Sequence, residues 1–327
     1  MISKKIVIIG PSFFHYLHAI EEQINNSGIE CKQVIERGNE SLFKKVLYRS
    51  SFLKLLFSPL VNNRHKEIIL ECINFKATHA LFISPESMTS SLLELLKSHN
   101  IKPILYMWDG FENKPAAKRF IKNFSSAATF DPVDAKKYQM ELIHLFAEDI
   151  FFDSNSNNYK RAFDFSFVGT AHSIRPKFIL QLIKKSNKDK LNNMIHLYRG
   201  NIFYHIMGLL KTFFGNTKMF TNNSISKNKT AEYFKNSKYV LDITHPKQEG
   251  LTSRTFEAIS SGAILITNNQ NAKKLIPDFK DRIVIYSEIK SLESNRLNFT
   301  KIIFSEEQLY RLSLKRFCDE IINLTNN

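Results

Sequence analysis

A charged cluster of three residues, Glu249, Arg254 and Glu257, lies at the start of a predicted helix. The stretch that contains them, from His245 to Thr267, reads HPKQEGLTSRTFEAISSGAILIT and ends in an apolar strand. A guanidinium in the first turn of a helix can make a forked contact to phosphate oxygens. A carboxylate one turn later can accept two hydrogen bonds from a ribose diol. The spacing therefore predicts a site for a phosphorylated ligand that carries a ribose.

Backbone donors add to this cluster between the two glutamates. Gly250, Thr252 and Ser253 lie at the helix start, where N–H groups point outward and suit a phosphate. A structural alternative needs no ligand: Ser253 would cap the helix, and Glu257 would be an early acid favoured by the helix dipole. For Glu257 alone both interpretations stay open. The combination of three ionisable groups favours a ligand site, because charged side chains are seldom buried without partners.

A second polar segment reads FVGTAHSIR and follows another predicted strand. Gly169 lets the backbone pass close to a ligand, and Thr170, His172 and Arg175 place polar groups at the strand end. Ligands of open α/β sheets bind beyond the carboxyl ends of strands, which favours a binding role here. The alternative is a turn in which His172 caps the helix before Pro176, and for His172 both interpretations stay open.

A parallel sheet must position both segments, and the apolar runs of the sequence predict one. Strands are predicted at Lys5–Gly10, Glu30–Glu36, His79–Ser84, Lys102–Trp108, Ala127–Asp131, Phe165–Gly169, Met194–Gly200, Tyr239–Thr244, Ala263–Thr267 and Arg282–Tyr286. Stretches with helical spacing separate several of these runs. Strands that alternate with helices indicate a doubly wound α/β fold.

Two domains are expected from the length and from one break in this alternation. The chain has 327 residues, and the Ser/Asn-rich stretch 147–164 reads as a linker. We therefore predict a Rossmann-like N-terminal domain over 1–155 and a second one over 156–304, facing each other across a cleft. Residues 305–327 are predicted to form a long final helix, with Ser305 as N-cap, that could pack back on the N-terminal domain.

The composition is that of a globular protein with an anionic partner. Lys and Arg number 46 against 31 Asp and Glu, which gives a formal net charge of +15. No pattern typical of a nucleic-acid-binding module is present, so the partner is not expected to be nucleic acid. The three cysteines lie far apart, which indicates reduced thiols in a cytoplasmic protein and neither a disulfide framework nor a metal site. The start, MISKKIVIIGPS, has too short an apolar run for a signal peptide, and no run is long enough for a membrane span.

The motif EGLTSRTFEAISSGAILIT resembles the donor-site signature of GT-B glycosyltransferases. That signature has two glutamates separated by seven residues, followed by a helix with small residues, a glycine and a strand, as in this chain. More closely, GLTSRTFEAISSGAILIT resembles the CgeB-like and capsular or lipopolysaccharide-biosynthesis branch. DFSFVGTAHSIR and ILYMWDGF…FDPVDAKKY are similar to that branch as well, so the resemblance spans roughly residues 104–267.

This resemblance implies a GT-B fold and a function. The enzyme would move a sugar from a nucleotide-sugar donor to a cell-surface polysaccharide or a lipid-linked glycan. Glu257 would bind the nucleotide ribose, Glu249 would face the donor sugar or phosphates, and Arg175 would stabilise the diphosphate leaving group without a metal or other cofactor. The chain has Leu251-Thr252 where the commoner signature has Phe-Gly, so the detailed role of Glu249 stays open.

The resemblance also implies that the first domain supplies the acceptor site and a general base. His15 follows the first strand and Asp109 follows another, so either could take a proton from an acceptor hydroxyl. Glu86 is a third candidate. The alternatives are an ordinary histidine at a helix start and, for Asp109, an Asp-Gly turn.

Two stretches, 41–66 and 198–220, mix basic and aromatic residues. Both are compatible with amphipathic helices of a core. For 41–66 we favour a contact with an anionic membrane or acceptor, which would place the protein at the inner face of the plasma membrane.

Two other functions compete with glycosyl transfer. A sugar-nucleotide epimerase of the same fold would hold the same ligand, and a non-catalytic module could bind an anionic surface. An NAD-dependent oxidoreductase is disfavoured, because GPSFFH after the first strand lacks the glycine spacing of a dinucleotide site.

Overall fold

The computed structural model describes residues 3–11, 16–38, 41–153, 161–171, 174–199, 220–245, 248–286, 299–300 and 302–326. Within these ranges the side chains of residues 42, 43, 45, 49 and 51 are not described. Among the described residues, no helix combines the length and the apolar character that crossing a membrane would require.

The described elements alternate along the chain as the apolar runs predict. The strands are β1 (Lys5–Gly10), β2 (Glu30–Ile35), β3 (His79–Ile83), β4 (Lys102–Met107), β5 (Ser126–Thr129), β6 (Glu141–Leu142), β7 (Phe163–Thr170), β8 (Asn193–Tyr198), β9 (Phe220–Thr221), β10 (Ser237–Asp242), β11 (Ile264–Thr267) and β12 (Ile283–Ile285). The α-helices are α1 (Tyr16–Asn26), α2 (Leu42–Arg49), α3 (Ser51–Leu56), α4 (Ser58–Asn74), α5 (Ser90–Ser98), α6 (Pro132–Tyr138), α7 (Arg175–Lys188), α8 (Lys227–Lys235), α9 (Ser253–Ser260), α10 (Ala272–Leu275), α11 (Glu306–Leu312) and α12 (Leu314–Leu324). Shorter 3-10 helices lie at Pro115–Asn123, Asp149–Phe151 and Pro277–Arg282. Each predicted strand is present with ends shifted by at most two residues, whereas the two-residue strands β6 and β9 were not predicted.

The chain folds into two compact units. The first comprises residues 1–145 and 314–327, and the second comprises residues 146–313. The sequence predicts boundaries at 155 and 304. The first difference arises because the segment before the Ser/Asn-rich run already packs in the second unit: the Phe151 ring lies 5.9 Å from the Phe234 ring, and the Asp153 N–H donates to the Ser260 carbonyl over 3.1 Å.

The end of the chain differs from the single long helix that the sequence predicts. Ser305 caps α11 in a capping box with Gln308, as expected for an N-cap. The helix then breaks at Ser313, whose backbone is extended, and α12 begins at the next residue. Helix α12 packs in the first unit, where the Phe317 ring lies 5.0 Å from that of Tyr106.

The first unit is built on a parallel sheet in the order β2-β1-β3-β4-β5-β6. Its central strands are apolar after their first residue, as expected for a parallel sheet that is covered on both faces, and Ile6, Val7, Ile8 and Ile9 of β1 have no exposed surface. All carboxyl ends lie at one edge of the sheet. The strand order reverses direction between β1 and β3, which makes that edge the expected place for a ligand.

The second unit repeats this plan in the order β12-β11-β10-β7-β8-β9, again with parallel pairs. Its core includes Phe167, Leu197, Leu241 and Ile266, which have no exposed surface. Here the order reverses between β7 and β10. The carboxyl ends of these two strands therefore flank the ligand crevice expected for such a sheet.

Candidate functional site

The carboxyl ends of β7 and β10 bring the two polar segments of the sequence together. Strand β7 ends in Gly169 and Thr170, and β10 ends in Asp242. After β10 the chain leads through residues 243–252 to helix α9, so the charged helix start lies at the predicted edge. Parallel pairing of β10 with β7 fixes the two strand ends beside each other.

Asp242 fixes the start of helix α9. Its carboxylate has no exposed surface and accepts hydrogen bonds from the hydroxyls of Thr252 (2.8 Å) and Thr255 (3.1 Å). The Nη1 atom of Arg254 donates to the other carboxylate oxygen over 3.1 Å. A buried carboxylate with three donors is well compensated, and each donor comes from the first turn of α9 or its cap. Asp242 was not among the predicted site residues, although an acid inside an apolar strand is itself an unusual signal.

Phe167 and Arg254 both come close to Gly169 and leave little room for a side chain there. A Cβ atom at residue 169 would lie 2.9 Å from Cζ of Phe167 and 3.2 Å from Nη2 of Arg254. The Arg254 guanidinium lies over the Phe167 ring, 5.4 Å from its centroid. Glycine therefore leaves space here for two side chains of the same unit, whereas the close approach to a ligand that the sequence predicts stays a prediction.

Arg175 begins helix α7 and turns inward. Its Nε donates to the carbonyl of Ile243 over 3.0 Å, and its Nη1 donates to the carbonyl of Thr170 over 3.4 Å. Burial lowers the pKa of Arg175 to about 10, and the nearby positive charge of Arg254 adds to this effect. The guanidinium stays charged at neutral pH. Two cations thus stand at the β7–β10 switch point, where they are suited to stabilise an anion.

The cap of helix α9 is Thr252, with an extended backbone, and not Ser253, the N-cap of the structural alternative. The Thr252 hydroxyl is engaged by Asp242 and makes no hydrogen bond to the helix backbone. The N–H groups of a first helical turn have no acceptor within the helix, so Ser253 and Arg254 keep backbone donors directed out of the helix start. This arrangement suits the binding of an oxyanion.

The loop before α9 is held by an asparagine-rich turn that follows β11. The Asn269 amide donates to the carbonyls of Glu249 (3.0 Å) and Gly250 (3.3 Å). The Asn271 amide donates to the carboxylate of Glu249, and Asn268 accepts from the N–H and hydroxyl of Thr244. Sequence reasoning missed this turn; its signal is the run TNNQN directly after a buried strand.

Glu257 lies in α9 one turn after Arg254 and is buried, with 9% of its surface exposed. His172 and its neighbour Ser173 lie outside the described residues, and so does His15 of the first unit. The remaining predicted residues of the second unit lie at the strand ends, in the loops and at the helix starts just described: Gly169, Thr170, Arg175, Glu249, Gly250, Thr252, Ser253 and Arg254.

In the first unit, Asp109 follows β4 at the carboxyl edge of the sheet. The N–H groups of Trp108 and Asp109 donate to the Ser84 hydroxyl over 2.9 and 3.2 Å, and Ser84 itself has a left-handed φ of 40°. Burial raises the pKa of Asp109, the charge of Lys114 opposes this, and the Glu86 carboxylate adds to the rise. A carboxylate whose pKa is raised toward neutrality is suited to proton transfer.

Glu86, the weaker candidate base, is part of an ion network. It is 3% exposed and accepts a hydrogen bond from Nε of Arg37 over 2.6 Å and another from Nζ of Lys114. Burial alone would raise the pKa of Glu86, but Lys114 and Arg37 lower it. The Glu36 carboxylate accepts the N–H groups of Glu86 and Ser87 and fixes this turn. Asp109, whose pKa is raised, is therefore a better candidate for a base than Glu86, whose carboxylate is held by two cations.

Among the described residues, no group of three or more His, Cys, Asp and Glu side chains is arranged to hold a metal ion.

Comparisons with known proteins agree with this architecture. Residues 186–299 match the family model described as glycosyl transferase-like, which covers most of the second unit. No curated protein sequence matches the chain significantly.

Solved structures match over nearly the whole chain. Trehalose-6-phosphate synthase superposes with a TM-score of 0.63 at 7% identity, covering 98% of both chains. The lipopolysaccharide outer core galactosyltransferase WaaB gives 0.53 at 11% identity, covering 98% of both chains. The UDP-GlcNAc 2-epimerase of Methanocaldococcus jannaschii, solved with UDP-GlcNAc and UDP, gives 0.54 at 10% identity, covering 99% of both chains. The chain therefore has the GT-B fold of two Rossmann-like units.

Proposed function

We propose that this protein is a glycosyltransferase that moves a sugar from a nucleotide-sugar donor to a glycan acceptor. The observation that carries the proposal is the start of helix α9, where Asp242 orients Arg254 beside the end of β7. The glycosyl transferase-like match covers the same unit. A positive charge fixed before the ligand arrives costs no reorganisation when the anion binds, which is the property that a diphosphate site needs.

The donor would bind through the second unit. The backbone N–H groups of Gly250, Thr252 and Ser253 would face the phosphates, as in other helix-start phosphate sites. Arg254 has five N–H donors and uses one on Asp242, which leaves donors for the diphosphate. Glu257 would accept the ribose hydroxyls.

The remaining donor-side roles follow the polar segment after β7. Gly169 and Thr170 would border the ligand, and His172 would be a further polar contact. Glu249, held by Asn271, would face the donor sugar.

Bond cleavage in this proposal requires no metal. As the glycosidic bond to the nucleotide breaks, negative charge develops on the diphosphate, and Arg254 and Arg175 would stabilise it. The first unit would bind the acceptor, and Asp109 would accept the proton of the attacking hydroxyl, since its pKa is raised. His15 is the alternative base.

The acceptor in this proposal is a cell-surface polysaccharide or a lipid-linked glycan, and the relationship is to the CgeB-like and capsular or lipopolysaccharide branch. This assignment rests on the sequence resemblance and on the similarity to WaaB, a lipopolysaccharide outer core galactosyltransferase. The reaction would take place in the cytoplasm, at the inner face of the plasma membrane.

A second candidate is a sugar-nucleotide epimerase, favoured by the fold match to an epimerase solved with UDP-GlcNAc and UDP. Both enzymes would hold the same donor, so nucleotide binding does not separate them. Product analysis does, because an epimerase changes the sugar of the nucleotide without any acceptor.

The first experiment is a thermal-shift screen of nucleotide sugars and of UDP, GDP and CMP. A ligand that binds only the native state at about a hundred times its dissociation constant stabilises it by ~2.7 kcal/mol. We expect the nucleotides of one class to raise the melting temperature. The corresponding nucleotide sugar should be consumed only when an extract that contains glycan acceptors is added. A chain that binds none of these nucleotides is not a glycosyltransferase of this type. Sugar conversion without acceptor would identify an epimerase.

A further inference from the structure

The first unit contains a cavity of about 1190 Å³ between helices α3–α4, the turn after β3 and the 3-10 helix Pro115–Asn123. Four cations line it: Lys54, Lys114, Lys118 and Arg119. Glu86 is the only carboxylate among the described residues that line it. This carboxylate already forms ion pairs with Lys114, which lines the cavity, and with Arg37, which is not among the lining residues. The cavity lining therefore carries more positive than negative charge, although three carboxylates outside the lining also act on its cations: Glu36 on Lys54, and Glu112 and Asp134 on Lys118.

Lys54 is a partly buried cation that lies near other cations of the cavity. Its ammonium donates to the backbone carbonyl of Glu86 over 2.7 Å, a partner that offers a dipole but no full charge. Burial lowers the pKa of Lys54, and although Glu36 and Glu86 oppose the change, Arg119 and Lys114 add to it. An anion in the cavity would relieve this repulsion. Arg119 could supply the forked contact to its oxygens.

An exposed apolar surface lies at the rim of the same cavity. Leu55 lines the cavity and yet is 76% exposed. Phe52 and Leu56 lie three residues before it and one residue after it, so all three share one side of α3, and they are 71% and 62% exposed. Leu60 at the start of α4 is 52% exposed. Single exposed leucines are ordinary, but a contiguous group beside a basic cavity indicates a partner.

We propose that this cavity binds the phosphate or diphosphate head of an amphiphile whose apolar chain lies along Phe52, Leu55, Leu56 and Leu60. The cations recognise the head, and the exposed side chains of α3 and α4 replace water around the first carbons of the chain. A free phosphate would satisfy the cations but not the apolar rim, which is why the lipid source is favoured. In the proposed transferase, this amphiphile would carry the acceptor sugar. That role rests on the proposed function, whereas the binding of the amphiphile does not.

The test uses the full chain and two kinds of phosphate ligand, one in a lipid vesicle and one free in solution. Flotation is measured with phosphatidylcholine vesicles with and without phosphatidic acid, and binding of inorganic pyrophosphate is measured by calorimetry. The cavity variant is Lys118→Glu/Arg119→Glu, and its control, Lys97→Glu/Lys122→Glu, makes the same change of net charge at exposed positions of the same unit. The rim variant is Leu55→Ser/Leu56→Ser, with Leu95→Ser/Val133→Ser as its control at other exposed apolar positions.

We expect the wild type to bind only the vesicles that contain phosphatidic acid. The cavity variant should bind them about tenfold more weakly or worse, because two cations that attract the anionic headgroups become carboxylates that repel them. The rim variant should lose vesicle binding and keep its affinity for pyrophosphate, and both controls should behave as wild type.

Three results would overturn the proposal. Equal losses in the cavity variant and its charge control would mean that net charge alone attracts the protein. Pyrophosphate binding without vesicle binding would mean a soluble anion. Vesicle binding that is unchanged in the rim variant would remove the apolar chain from the site. Nucleotide binding is read separately on the same variants, so a failure of the proposed function would not be mistaken for a failure of this inference.

Discussion

Two buried carboxylates, Asp242 in the second unit and Glu86 in the first, stand at the carboxyl edges of similar parallel sheets and each binds a guanidinium. Their surroundings differ. Asp242 receives two hydroxyls and one arginine, with Arg175 as a second cation near it, so the charge around it is positive. Glu86 is bound by two cations but lies near two further carboxylates, those of Glu36 and Asp109.

In the function that we propose, this difference separates the donor diphosphate site from the proton-transfer site. In the second unit the acid fixes an arginine, and two arginines beside one carboxylate are suited to attract an anion. In the first unit burial raises the pKa of Asp109 and the neighbouring Glu86 adds to the rise, which suits Asp109 to the proposed role of base. Under this proposal, the same fold element serves two kinds of chemistry, depending on which charges surround the strand end.

The largest expected effect comes from removing Asp242. Asp242→Ala leaves Arg254 partly buried without its partner and two hydroxyls without an acceptor, and breaking such a pair costs about 3–5 kcal/mol of unfolding free energy. Urea denaturation measures the loss, and nucleotide affinity should fall with it. Asp242→Asn, which keeps the shape, is the matched variant. A wild-type unfolding midpoint in Asp242→Ala would show that the carboxylate does not organise the helix start.

The next effect tests the proton-transfer side of the comparison. Asp109→Asn should lower the turnover rate by about a hundredfold or more, the usual contribution of a general base, while leaving nucleotide binding unchanged. Because the base acts when ionised and its pKa is raised, the wild-type rate should rise with pH through that pKa. This limb should be missing from the pH profile of Asp109→Asn. If the rate of Asp109→Asn still rises with pH in the same way, another group transfers the proton, and His15 is the first to examine.

A smaller effect comes from filling the space beside Arg254. Gly169→Ala places a methyl group 2.9 Å from Phe167 and 3.2 Å from Arg254, and such overpacking costs about 1–3 kcal/mol. Gly110→Ala is the control, since its new Cβ would have Asp134 Oδ2 at an ordinary 3.6 Å. Nucleotide affinity and denaturation midpoint are compared for both. If the two variants are equally stable and bind alike, the close approach at residue 169 has no role in the site.

The smallest effect is expected at Asp164, a partly exposed acid of the second unit paired with Lys238. Burial opposes the ionised form, but the hydrogen bond from Lys238 and the backbone N–H of Asn192 lower the pKa of Asp164. A lowered pKa in the folded state stabilises the protein at neutral pH, and this contribution is lost as the pH falls through that pKa. Asp164→Asn should therefore cost only about 0.2–1 kcal/mol at neutral pH, and less in acid. If Asp164→Asn lost as much unfolding free energy as Asp242→Ala, the buried Asp242–Arg254 pair would be no more important for stability than the partly exposed Asp164–Lys238 pair.

The sequence was informative wherever a feature is local. Apolar runs such as KIVIIG predicted strands because a covered parallel strand must be apolar along its length, and Ser305 predicted a cap because its partner is Gln308, one turn away. The charged start of α9 was visible for the same reason, since Glu249, Arg254 and Glu257 are close in sequence.

The features that were missed depend on interactions across the fold. The Glu36 carboxylate binds backbone groups of residues 86 and 87, about fifty positions later in the chain, and no local pattern announces that pairing. Asp242 lies within a predicted strand. Its role becomes visible only in the fold, because the β10–α9 loop brings the hydroxyls of Thr252 and Thr255 within hydrogen-bond distance of its carboxylate. The unit boundary moved from 155 to 145 because tertiary packing of Phe151, not loop composition, decides which unit a segment joins.

Calorimetric titration of Glu257→Ala with the nucleotide decides whether helix α9 binds the ribose through Glu257. Glu232→Ala, an exposed glutamate of the same unit, is the matched control. Hydrogen bonds to a charged group contribute about 1.5–3 kcal/mol, so Glu257→Ala is expected to bind the nucleotide roughly tenfold to a hundredfold more weakly than wild type. Glu232→Ala should bind as wild type does. Equal affinity of Glu257→Ala and Glu232→Ala for the nucleotide would contradict a ribose site at Glu257.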